Sequence, residues 1–177
     1  MSNYLYRGIG VVATVTALSL LAFSLPSGGE ARGDNGDHLM PRLDHPAWQQ
    51  ECSSCHIAYP PSMLPQASWR RLMSGLDNHF GDDASIDPAT QADILKFLET
   101  HAADAAGNRM GRRAMKRADP KMPPLRITET RWFVHEHDEI PQATWARKSV
   151  GSAANCAACH RDAERGVFDD DSVRIPK

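Results

Sequence analysis

Cys52-Ser53-Ser54-Cys55-His56 and Cys156-Ala157-Ala158-Cys159-His160 are two copies of one pentapeptide, C-x-x-C-H, and together they use every cysteine in the chain. The pattern is the attachment signature for c-type haem. Both thiols must reach the edge of one rigid macrocycle while the adjacent histidine lies under its centre, which is why the spacing is short. The four thiols are therefore expected to form thioethers, with His56 and His160 as proximal iron ligands. A zinc ribbon has no need of the histidine that follows each pair. A redox C-x-x-C belongs in a βαβ pattern, and nothing here alternates in that way. Two-residue loops also make unusual disulfides.

The N-terminal residues agree with this reading. Arg7 precedes a run from Ile9 to Leu25 that carries no charge, followed by Pro26, Ser27, Gly28 and Gly29. That order resembles a secretory signal, and c-type haem is attached outside the cytoplasmic membrane. The expectation is a signal over 1–31, with an uncleaved inner-membrane anchor as the alternative, because the run falls between a signal core and a full spanning helix. In either case the working domain faces the periplasm. Residues 32–50 read as a linker and 51–177 as the domain.

A chain of this length holds one domain after residue 31. The net charge of −2 shows no basic excess that would suggest nucleic acid, and no second apolar run suggests another membrane crossing. Two haems would supply much of the apolar core that so short a chain must otherwise build from side chains.

Helical spacing recurs and strand alternation is nearly absent. Trp69, Leu72, Met73, Leu76 and Phe80 predict a helix over 66–80 closed by Gly81. Asp87-Pro88 reads as N-cap and first helical residue of a second helix, with Ile94, Leu95, Phe97 and Leu98 on its apolar face. A third is expected from about Thr130 to Ile140, ending at Pro141, and each C-x-x-C-H on its own short helical turn. The fold class is thus mostly α: a small multi-helix c-type cytochrome domain built around two covalently attached haems, with long loops. Residues 103–126 read as an exposed basic connection carrying Arg109, Arg112, Arg113, Lys116, Arg117 and Lys121 against Asp104 and Asp119. A solvated loop is its plain explanation, and a docking patch for an acidic redox partner the sharper one. Asp169-Asp170-Asp171 forms a patch of opposite sign.

The second axial ligand of each iron decides between an electron carrier and a protein that binds a small molecule at an open iron. Six further histidines are available: His38, His45, His79, His101, His135 and His137. His79 and His137 lie on apolar faces at helical spacing, the first after Leu72 and Leu76, the second after Phe133 and before Ile140. These two are the expected distal ligands. His135, two residues before His137, turns about 200° away and should face water. His101 follows Phe97 and Leu98 and competes, although a helix C-terminus also suits a histidine for its charge. His45 could fold back over either haem, and His38 reads as exposed. Met122, in Lys-Met-Pro-Pro, is a reserve ligand, because it is placed like the loop methionine of single-haem cytochromes c. Met63, Met73, Met110 and Met115 read as surface or packing residues.

Longer stretches extend the pattern: Glu-Cys-Ser-Ser-Cys-His-Ile-Ala-Tyr-Pro-Pro at 51–61, Ser-Trp-Arg-Arg-Leu-Met-Ser-Gly-Leu at 68–76, His-Phe-Gly-Asp-Asp-Ala-Ser at 79–85, Arg-Ile-Thr-Glu-Thr-Arg-Trp-Phe at 126–133, Glu-His at 136–137, Asn-Cys-Ala-Ala-Cys-His-Arg at 155–161 and the tail Val-Arg-Ile-Pro. With these the chain resembles the bacterial dihaem cytochromes c, the DHC family, from about Glu51 to Lys177. The resemblance implies periplasmic electron transfer without catalysis, two covalent haems c, and histidine on both faces of each iron. The family-like segments contain His79 and His137 but not His101. It also implies redox protein partners such as a small oxygen-binding haem protein or a membrane b-type cytochrome. The basic stretch around 107–121 is longer and more charged than the family pattern. A dihaem peroxidase or a gas-binding protein with one open iron is the rival expectation, and a tethering subunit of a membrane complex a further one.

Overall fold

The computed structural model describes residues 43–177 except 117 and 120; the expected signal, its cleavage site and His38 lie outside the described residues. Among the described residues six α-helices follow one another: α1 (Pro46–Cys52), α2 (Gln66–Met73), α3 (Pro88–His101), α4 (Arg109–Ala114), α5 (Arg131–Glu136) and α6 (Gln142–Trp145), joined by 3-10 turns and loops. Among the described residues the only β-pairing is an isolated bridge between His79 and Asp82. The chain is mostly α with long loops, as its spacing predicts. No helix among the described residues is long and apolar enough to cross a membrane.

α3 is the central element. Asp87 caps it, its carboxylate accepting from the Ala89 and Thr90 N–H groups at 3.1 and 3.0 Å, and Pro88 needs no donor in the first turn. Its buried residues Ile94, Phe97 and Leu98 pack with Trp48 of α1, Trp69 and Met73 of α2, and Phe133 of α5. The Gln91 side chain donates to the Met73 carbonyl at the end of α2, and Arg70 pairs with Glu99 across the same two helices. Trp69 Nε1 donates to the Pro61 carbonyl at 2.8 Å, which satisfies the indole inside the core. Trp48 belongs to this core, and the half-buried Leu43 and Ala47 pack against it. Residues 43–50, expected as linker, therefore pack with the domain.

Three helices differ from their sequence expectation. The first ends at Met73 rather than running to Phe80: Gly75 follows the C-cap, a 3-10 turn takes Leu76–Asn78, and His79 stands outside any helix. The third covers only Arg131–Glu136, and Pro141 starts the separate α6. The stretch 103–126, expected as an exposed connection, holds α4 and the buried Ala103, Ala105 and Gly111. A Cβ on Gly111 would lie 2.5 Å from the Ala103 Cα and 2.6 Å from its carbonyl oxygen, so the helix can approach only because this residue is glycine. Asn108 starts α4, its side chain accepting from the Gly111 N–H at 2.8 Å and donating to the Ala102 carbonyl at 3.0 Å.

Candidate haem sites

The first motif continues from the end of α1 into a turn, and the second forms a 3-10 turn, Cys156–Ala158. None of the four cysteines is paired in a disulfide. Burial pushes Cys52 and Cys156 up to about 11, with Glu51 adding to the rise at Cys52 and Cys159 at Cys156. Among the described residues no three His, Cys, Asp or Glu side chains converge as a metal site, so the cysteines do not gather as a zinc ribbon would require.

Each motif histidine faces one of the two histidines picked out in the sequence. The ring centres of His56 and His79 are 6.2 Å apart, with planes at 27°. Those of His160 and His137 are 6.1 Å apart, with planes at 74°. Metal–imidazole bonds of about 2 Å on either side of one ion, with the ring radii added, place two ring centres roughly 6 Å apart. Both pairs thus fit an iron between them. At His137, Nδ1 lies 2.9 Å from the Phe133 carbonyl, which can only accept, so Nδ1 carries the proton and Nε2 is left with its lone pair. His56 Nδ1 is held in the same way, 2.6 Å from the Ile57 carbonyl. The His160 ring has a buried nitrogen, Nδ1, that no protein group satisfies. Burial lowers the pKa of His79, with His56 and Arg126 acting in the same direction and Asp82 opposing. It lowers that of His160 too, with His137 assisting and Asp170 opposing. A neutral imidazole is the form that can ligate.

Different elements present the two partners. Thr130 caps α5 and is buried; its hydroxyl accepts from the Phe133 N–H at 3.1 Å and donates to the Ile127 carbonyl at 2.7 Å. The helix so fixed stacks Phe133 on His137, 4.1 Å between ring centres at 19°, and Trp145 lies against both rings, 5.9 Å from His137 and 6.1 Å from Phe133. Phe168 lies 5.4 Å from His160. These aromatic walls suit an apolar macrocycle. His79 is instead held by a tight turn: its N–H donates to the Asp82 carbonyl at 2.7 Å, and the Asp82 N–H returns to the His79 carbonyl at 3.3 Å. Phe80 and Gly81 form the tip at φ +59° and +111°, and Phe80 is the only non-glycine described at positive φ. That conformation costs on the order of 1–3 kcal/mol in a side-chain-bearing residue. The Phe80 ring packs edge-on to His79 at 4.8 Å, and the Arg126 guanidinium lies 3.9 Å above it.

The other histidines are engaged elsewhere. His45 caps α1, its Nδ1 accepting from the Trp48 N–H at 3.1 Å while Nε2 reaches Asp93 at 3.2 Å. Both nitrogens are used, so it does not fold over a haem. His101 packs on Phe97 at 4.8 Å, and Phe97 also meets His45 at 4.4 Å, in a cluster apart from the two histidine pairs. His135 is exposed, with Asp138 at 3.8 Å, as its position on the helix predicts. Met122 is 73% exposed and lines a cavity of about 150 Å³ that includes none of the four paired histidines.

Tyr59 was not singled out in the sequence, yet it joins the two sites. Its ring stacks on His56 at 4.6 Å and 21°, and its hydroxyl donates to the Ala154 carbonyl at 2.7 Å, two residues before Cys156. Burial, with Cys156 close by, raises its pKa to about 12, so the donor keeps its proton. The one local signal was an aromatic residue three positions after a motif histidine. The tail closes over the second motif, with the Arg174 N–H on the Cys159 carbonyl at 3.0 Å, Arg147 on the Pro176 carbonyl at 2.8 Å and Ser149 on the Lys177 carbonyl at 2.9 Å.

The family model for dihaem cytochrome c, DHC, matches residues 48–168. No match was found among curated proteins. Among solved structures, a diheme cytochrome c from Rhodobacter sphaeroides is 44% identical, with a TM-score of 0.65 over 71% of this chain and 98% of its own. DHC purified from the same organism is 41% identical, with a TM-score of 0.60 over 72% and 100%. The diheme cytochrome of type c from Shewanella baltica OS155 is 40% identical, with a TM-score of 0.60 over 73% and 91%. With nearly the whole of each solved relative covered, the chain belongs to the dihaem cytochrome c family and carries two covalently bound haem c groups.

Proposed function

We propose that the protein is a periplasmic single-electron carrier in which each iron is held by two histidines, His56 with His79 and His160 with His137. The observation that carries this reading is the ring separation of the two pairs, 6.2 and 6.1 Å. Haem supplies a one-electron iron couple when bound. Cys52 and Cys55 hold one group and Cys156 and Cys159 the other. The carbonyls of Phe133 and Ile57 keep the proton on the far nitrogen of His137 and His56, and Phe133, Trp145 and Phe168 give the second pair an aromatic wall. Histidine on both faces of each iron would leave no coordination site for a substrate and would set the potentials below those of a His/Met pair. The uncharged run from Ile9 to Leu25 supports export, which N-terminal sequencing of the mature protein checks.

The partners are redox proteins. The family resemblance points to a small oxygen-binding haem protein or a membrane b-type cytochrome, with no nucleic acid and with membrane contact only through an uncleaved N-terminus. The cations of 109–121, in a chain whose net charge is −2, suit an acidic partner. The test of the whole reading is the absorption spectrum of the reduced holoprotein with and without carbon monoxide. An unchanged spectrum is expected. A shift in one haem would transfer the assignment to a peroxidase-like enzyme or gas-binding protein with an open iron.

A further inference from the structure

Phe80 combines three features that seldom occur together. It bears a large side chain at positive φ, it is 46% exposed, and it touches the histidine that faces His56. Nothing in core packing accounts for an aromatic residue there, since glycine would take the same backbone conformation without strain. The side chain must therefore contribute something at the site. On one side its ring meets His79 edge-on at 4.8 Å. On the other the Arg126 guanidinium covers it at 3.9 Å, and Arg126 is itself held by Glu129 at 3.7 Å. Arg126 leads into the 3-10 turn Ile127–Glu129, whose Ile127 is buried in the core, so the cation is anchored to the rigid part of the domain.

We propose that Arg126 and Phe80 form a latch that positions His79, clamping the tip of an otherwise isolated turn against the core and fixing the imidazole toward His56. Both are positioning residues, acting through His79. This rests on His79 being the distal ligand of the first haem. The turn has little else to hold it. Its main-chain pairing is a single bridge between His79 and Asp82, and the Ala84 N–H on the Leu76 carbonyl at 2.8 Å is the neighbouring tie. His137 has no counterpart to the latch, being fixed by the carbonyl of its own helix and by Phe133 stacking. The effect of breaking the latch is therefore confined to one haem. Arg126 also places a positive charge beside His79, which would favour the reduced state of the haem held there.

The test uses the holoprotein with Arg126→Ala, Arg126→Lys and Phe80→Gly beside His79→Ala, and reads carbon monoxide binding to the reduced form and the midpoint potential of each haem. Phe80→Gly removes the latch while relieving the strained backbone, so it separates positioning from folding. His79→Ala is expected to open one haem fully. Arg126→Ala and Phe80→Gly are expected to raise carbon monoxide binding at that same haem several-fold over the parent, and Arg126→Ala to lower its potential, with the other haem unmoved. Arg126→Lys should restore most of both readouts, because an ammonium also sits over an aromatic face. Parent-like behaviour of Arg126→Ala and Phe80→Gly, with His79→Ala opening a haem, overturns the latch and leaves the ligand assignment intact. A His79→Ala protein that stays closed to carbon monoxide overturns the ligand assignment and the latch with it.

Discussion

Tyr59 donates its hydroxyl to the Ala154 carbonyl at 2.7 Å across 95 positions of sequence, while its ring lies on His56. One side chain thus ties the first haem-binding motif to the segment two residues before Cys156 in the second. The rest of the packing has its weight in α1, α2 and α3, which are tied to the first motif.

Tyr59→Phe keeps the stack and removes only this hydrogen bond. The loss should be about 0.5–1.5 kcal/mol, which lowers Tm by roughly 2–6 °C for a domain of this size. The haem spectrum should be unchanged. Tyr59→Leu, which loses the stack as well, should cost more and should disturb the haem at His56. Thermal unfolding followed at the haem band checks both, and a Tyr59→Phe protein as stable as the parent would remove Tyr59 from this role.

The helix cap at Asp87 makes part of the stability acid-sensitive. Hydrogen bonding from Thr90, by side chain first and backbone second, holds the carboxyl below its ordinary 3.8, and the Ala89 N–H adds to this. A group depressed in the folded state stabilises above its unfolded pKa, and that contribution is lost as pH falls from about 4 through the lower folded value. Asp87→Asn keeps a capping acceptor without the charge. Its stability should therefore fall less than the parent's between pH 5 and 2, measured by helical circular dichroism under denaturant. Equal slopes for the two proteins would contradict the assignment.

The sequence showed the local features of this molecule and missed those made by distant contacts. The two pentapeptides and the Asp87-Pro88 helix start depend on neighbours within five residues, so they were legible. The approach of His137 to His160 was half legible, since its i,i+4 relation to Phe133 places it on the inner face of α5. The spacing places His79 on a helical face it does not have; the helix ends at Met73, and a tight turn brings the ring to His56 instead. His45 was open to several roles until Trp48 and Asp93 were seen to occupy its two nitrogens. Charge made 103–126 read as solvent-exposed, although Ala103, Ala105 and Gly111 are buried and Gly111 lets α4 approach Ala103. Tyr59 and Arg126 act on residues 95 and 46 positions away, and no local pattern marks such contacts.

Thr130→Val tests how His137 is held. Valine fills the same space, so no cavity forms, but the Phe133 N–H loses its buried acceptor and the Ile127 carbonyl keeps only the Thr130 N–H. A cost of about 1–2 kcal/mol is expected. Because the cap fixes the helix that ends at His137, carbon monoxide should gain partial access to the second haem and none to the first. Destabilisation without any change in carbon monoxide binding would mean that Phe133 and Trp145 hold the imidazole without help from the cap.

The ring planes distinguish the two haems further. His56 and His79 lie 27° from parallel, whereas His137 and His160 cross at 74°. Near-parallel imidazoles donate into the same iron d orbital and split it from its partner. Crossed imidazoles load both orbitals alike and leave them close in energy. The oxidised protein should therefore give two low-spin electron paramagnetic resonance signals, a rhombic one from the first haem and a strongly anisotropic one at higher maximal g from the second. His79→Ala should abolish the rhombic signal alone, and His137→Ala the anisotropic one alone. A single shared signal shape, or loss of the wrong signal in either variant, would show that the two histidine pairs do not hold the irons in these orientations.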